Sequence, residues 1–65
     1  MNIELLKKVV SEAGDTLASL ADDMNIGEEK CFIDRMQGNM GSVEIGFIRD
    51  RYNLTDSQVN DIFFD

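Results

Sequence analysis

The chain has no histidine, no proline and no tryptophan, and Cys31 is its only cysteine. Without a second thiol no internal disulfide can form, and without histidine the usual zinc ligand sets cannot be assembled. A cysteine or serine nucleophile would also lack its commonest base, the imidazole. No apolar run approaches the roughly 18 residues that suggest a membrane span. Basic residues are scarce as well: six against 13 acidic ones, for a formal net charge of −7. That balance favours solubility, repels polyanions and disfavours nucleic acid or anionic membrane as a direct partner, while suiting a basic protein surface.

What remains is a short chain that should still fold. Hydrophobic residues make up 43% of the 65, too many for a disordered tail. Residues 1–65 therefore read as a single domain, and one this small buries only about 60% of the surface its unfolded form exposes. With disulfide and zinc excluded, the support it needs must come from regular helix packing or from a partner chain. Met1-Asn2-Ile3-Glu4 has neither the basic region nor the apolar stretch of a secretory signal, and a lone thiol suits a reducing compartment, so the expectation is cytoplasmic.

Periodicity predicts an all-α fold of three or four helices. Ile3, Leu6, Val10, Ala13, Leu17, Leu20 and Met24 follow one another at alternating steps of three and four, a heptad seam. A continuous helix on that seam would be about 33 Å long. Gly14-Asp15 is a possible break, since glycine ends helices and aspartate caps them; the unbroken spacing favours one long, amphipathic N-terminal helix. Residues 27–37 form the next, with Glu28 and Glu29 in the first turn and Cys31, Phe32, Ile33 and Met36 as apolar positions. A turn at Gly38-Asn39-Met40-Gly41 leads to a helix capped by Ser42 and running to about Tyr52, with Val43, Phe47, Ile48 and Tyr52 at helical spacing. Thr55 with Gln58 makes a capping box and Leu54 with Val59 a hydrophobic staple, so the last helix starts at Asp56. Met24-Asn25-Ile26-Gly27-Glu28-Glu29-Lys30-Cys31 and Tyr52-Asn53-Leu54-Thr55-Asp56-Ser57-Gln58-Val59 echo one another, each reading as a helix end, a turn and a helix start, as two helix corners built on the same turn chemistry do.

Ile48, Tyr52, Leu54, Val59 and Ile62, with Asn53 where a left-handed residue belongs, have the spacing of two helices packed across a turn. Over residues 45–64 this resembles the DNA-binding helix-turn-helix class. The resemblance implies a transcriptional regulator, acting as a dimer, with Ser57, Gln58 and Asn60 facing base edges. Arg49 departs from the class, which places a small residue where the helices approach. The final helix also carries Asp56, Asp61 and Asp65 and no basic residue, although phosphate contacts by lysine and arginine supply most of the affinity of such readers. A DNA reader would need Arg49, Arg51, Lys7, Lys8, Lys30 and Arg35 gathered on one face.

Other chemistry finds no footing. Asp23, Asn25 and Gly27 suggest a calcium loop, but placing Gly27 at the sixth position puts Met24 and Ile26 where oxygen ligands belong. No glycine-rich phosphate loop is present. Cys31, beside Phe32 and Ile33, is expected to be a buried, inert thiol. The four methionines are expected mainly as core filler. The reading is thus a small acidic, non-enzymatic module without cofactor or metal, expected to bind another protein as a regulator or inhibitor of one with a basic surface. Phe63 and Phe64 point about 100° apart on a helix, so one ring should remain outside the core. Ile3, Leu6, Val10, Leu17 and Leu20, with Phe63 or Phe64, are the expected contact residues, and the open seam suggests a homodimer.

Overall fold

In the computed structural model, which describes residues 2–38 and 40–64, the N-terminal seam is cut in two. Helix α1 (Ile3–Glu12) and helix α2 (Leu17–Asp23) are separate. Gly14 lies between them with φ of +76°, a left-handed backbone that glycine adopts without a side-chain clash. Around it the Gly14 N–H donates to the Ser11 carbonyl at 3.0 Å and the Asp15 N–H to the Val10 carbonyl at 3.0 Å. Those two bonds are the pattern of a Schellman stop. Thr16, rather than Asp15, caps α2: its hydroxyl accepts the Ser19 N–H at 3.0 Å.

A left-handed residue followed by the same long closing bond recurs twice. Asn25 (φ 65°) ends α2, with the Ile26 N–H donating to the Ala21 carbonyl at 2.9 Å and the Asn25 N–H to Asp22 at 3.0 Å. Asn53 (φ 53°) ends α4 (Ser42–Tyr52), with the Leu54 N–H on the Arg49 carbonyl at 2.9 Å. The echo between the two asparagine segments is therefore a shared helix stop. Helix α3 (Glu29–Gly38) lies between these corners and packs mainly on α2. Gly41 occupies the N-cap of α4, and Ser42 is its first helical residue rather than its cap. The box at Thr55 and Gln58 is formed from both sides, at 3.1 and 2.9 Å. It opens α5 (Asp56–Val59), which widens into a π-helical turn, Asn60–Phe64. Asn39 of the expected turn, Met1 and Asp65 lie outside the described residues. No strand occurs among the described ones.

Cutting the seam folds its two halves onto one centre. A straight helix of about 33 Å would outreach the longest dimension of the molecule, 28 Å. Instead Leu6, Val10, Leu17 and Leu20 meet Phe32, Met36, Ile48, Ile62 and Phe63 in a single core. Burying each large side chain contributes about 1.5–3 kcal/mol. The ends of the chain close this core together, because the Asn2 N–H donates to the Ile62 carbonyl at 2.7 Å while the Asn2 side chain caps α1 through the Leu5 N–H at 3.0 Å.

The all-α fold thus has five α-helices among the described residues instead of three or four with one long N-terminal helix, because Gly14 and Asn25 stop the chain early, and two further expectations need correction. The seam is not left open along its length, since Leu6, Val10, Leu17 and Leu20 are buried inside the chain's own core, Ile3 is partly buried against it, and Ala13 is exposed. Cys31 is exposed rather than buried. The reason is angular: Phe32 and Met36 are four apart and share the inward face of α3, whereas Cys31 sits about 100° from Phe32. Met36 and Met40 are core residues, as methionines in so small a chain are expected to be.

Candidate functional site

Helix α4 has two apolar sides. At about 100° per residue, Ile45, Ile48 and Tyr52 fall together and pack toward the core. Val43 and Phe47, four residues apart and therefore on one face, lie on the opposite side. They are not covered: Val43 is 84% and Phe47 41% exposed. The four apolar positions of α4, Val43, Phe47, Ile48 and Tyr52, thus divide into two pairs, and only Ile48 and Tyr52 face inward.

Beside this outward face, the turn that ends α2 brings up Met24, half-buried, with Asp23 and Asn25. Together with Val43, Glu44 and Phe47 they line an open hollow of about 250 Å³. Its walls are held from behind. The Glu44 carboxylate accepts the Gly41 N–H at 3.1 Å and the Arg35 Nε–H at 2.7 Å, which pins the start of α4 to α3. Left-handed Asn25 fixes the turn carrying Met24. Asp23 is joined to Arg51 through its Oδ2.

Arg51 does more than hold Asp23. From the last turn of α4 it also donates to Asp15 through Nη2 at 2.8 Å and Nε at 3.1 Å, so one guanidinium ties down both ends of α2. The Tyr52 hydroxyl donates to the same Asp15 oxygen at 2.8 Å, and the Thr16 N–H donates to the other at 2.8 Å. The Arg51 hydrogen bonds, then the Thr16 N–H, then Tyr52, hold the Asp15 carboxyl far below the usual carboxylate range. Hydrogen bonds to Asp15, Asp23 and Tyr52 raise Arg51. Partial burial, followed by the bond to Asp15, pushes Tyr52 up to about 12. This knot was not legible in the sequence, where Arg51 stood only among basic groups available to a DNA reader and Asp15 only as a helix cap.

The other expected contact residues divide. Phe63 is buried at 6% exposure, whereas Phe64 stands out at 67%. The helix-turn-helix-like corner is present, with Ile48, Leu54 and Ile62 buried and Tyr52 and Val59 packed against them. Its second helix displays Asp56, Ser57, Gln58, Asn60 and Asp61, all exposed. Arg35, Arg49 and Arg51 are each engaged by carboxylates, Glu44, Asp50, and Asp15 with Asp23. Among the described residues no group of three or more acidic or cysteine side chains is close enough to hold a metal ion, and no helix is long and apolar enough to cross a membrane. No protein-family model, curated protein or solved structure matches the chain.

Proposed function

We propose that the chain is a non-enzymatic docking module that binds another protein through the hollow between α2 and α4, acting as a regulator or inhibitor of a partner with a basic surface. The observation that carries this reading is the outward face of α4. A β-branched aliphatic residue that is 84% exposed lies beside an aromatic one that is 41% exposed, next to a half-buried methionine, on a helix whose other side packs on the core. Contiguous exposed apolar surface of this kind marks interaction sites on small soluble proteins, and methionine adapts to varied partners. The net charge of −7 adds attraction toward a basic surface. Exposed Cys31, the only thiol in the sequence, suits the reducing conditions of the cytoplasm, and that is where we place this activity.

Affinity capture from a lysate of the source organism, with wild type and a Val43→Ser/Phe47→Ser variant as baits, tests it. A protein retained by wild type and lost with the variant supports the reading. Equal retention by both baits, or none by either, overturns it.

A further inference from the structure

We infer that the occupant of this hollow is a cationic amphipathic segment of a partner protein: a bulky aliphatic or aromatic side chain enters between Met24 and Phe47, and a lysine or arginine beside it meets the acidic rim. The inference rests on the docking reading above and adds the chemistry of the occupant.

The argument is one of charge. Two of the six lining residues are carboxylates, Asp23 and Glu44, and none is basic. Glu44 is spent on the Gly41 N–H and Arg35. Asp23 is only half compensated, because the one Arg51 guanidinium is shared between it and Asp15, and its side chain remains 48% exposed. Asp22, its neighbour on α2, is exposed and has no ion-pair partner among the described residues. Glu28 and Glu29, three and four residues beyond Asn25, are exposed and equally unpaired. The apolar floor is thus approached along a chain segment, Asp22 to Glu29, rich in uncompensated negative charge.

A second copy of this chain fits poorly, since docking two molecules of charge −7 sets like charge against like. An acidic or phosphorylated segment meets the same repulsion. A cationic one gains attraction during approach and, once docked, ion pairs at the edge of a dehydrated contact, while its apolar anchor covers Val43 and Phe47. Aliphatic and aromatic anchors in central pockets with a charged rim are the usual division between affinity and steering.

The test uses synthetic helical peptides as probes: one of leucine and lysine, one of leucine and glutamate, and one of serine and lysine. Backbone amide shifts of the full chain are followed by NMR. The leucine-lysine peptide should shift Met24, Val43 and Phe47 saturably, and the other two should bind at least about tenfold more weakly, which corresponds to about 1.4 kcal/mol. Val43→Ser should weaken the leucine-lysine peptide severalfold in a chain that remains folded, and Asp22→Asn should do so with a shallower salt dependence. Equal binding of the leucine-glutamate peptide, or shifts that avoid Val43 and Phe47, overturns the cationic occupant. Shifts at those residues on raising the concentration of the chain alone would show a second copy there and overturn it too. If no peptide binds while capture from lysate still depends on Val43 and Phe47, the cationic occupant fails and the docking reading survives.

Discussion

Arg51 lies 2.8 Å from Asp15 across 36 positions of sequence, and the pair closes the corner where the N-terminal seam is broken. Gly14 makes the break possible; Arg51, with Leu17, Leu20 and Ala21 buried in the core, holds the second half in place. It reaches from the end of α4 to the residue before the cap of α2 and to the last residue of α2, so a seven-residue helix too short to be stable alone is held at both ends.

The knot makes stability acid-sensitive. The folded pKa of Asp15 is depressed, so its contribution is fully present above its ordinary value of 3.8 and is lost as pH falls below that toward the folded value. Urea unfolding followed by circular dichroism should show Asp15→Asn less stable than wild type at neutral pH. The gap should close progressively below pH 3.8. A gap of constant size at every pH would show that the charge of Asp15 is not what matters.

At the alkaline end the sign reverses. Tyr52 is raised from 10.0 to about 12, so its contribution is present below pH 10 and lost as pH rises through about 12. Tyr52 is the only tyrosine and there is no tryptophan, so near-ultraviolet absorbance reads this one group. The expected midpoint is near 12 in wild type and lower in Asp15→Asn, which removes a charge that disfavours the tyrosinate. A wild-type midpoint at 10 would place the hydroxyl in open solvent.

Gly14→Ala tests the break directly. Nothing lies within 4 Å of the position a Cβ would take, so crowding plays no part, and only the left-handed backbone opposes the change. The expected cost is about 1–2 kcal/mol. A neutral or stabilising outcome in chemical unfolding would mean that the corner has re-formed with a right-handed backbone.

Leu6→Asp should unfold the chain. Leu6 is fully buried with no polar group to receive a carboxylate, and the cost of a buried unpaired charge exceeds about 3 kcal/mol, a large part of the stability of a domain this small. Sedimentation equilibrium with circular dichroism separates this from loss of an interface. A Leu6→Asp chain that is folded and monomeric, beside a wild type that is dimeric, would show the seam to lie between chains.

Cys31 should react quickly. Because it is exposed on α3, an aromatic disulfide reagent should modify it in the native protein at close to the rate seen in urea. Labelling slowed by orders of magnitude would place it in the core after all.

Much of the local structure was written in short stretches of sequence. The box at Thr55 and Gln58, the left-handed Asn53 and the end of α4 near Tyr52 each depend on residues within a few positions of one another, where hydrogen-bond chemistry leaves few alternatives. The exposure of one ring of Phe63-Phe64 follows likewise from the pitch of a helix. Other features needed the tertiary structure. A heptad seam reads the same whether it is one helix or two folded together, because a four-residue interruption hardly changes the spacing; the burial of Leu17 and Leu20 in the same core as Leu6 and Val10, and the reach of Arg51 to Asp15 and Asp23, decided that. Helical spacing places Val43 and Phe47 on one side of α4 and Ile48 on another, but which side faces inward depends on where α2, α3 and the π-helical turn lie. The candidate site exists because those elements complete the core against Ile48 and leave Val43 and Phe47 outside.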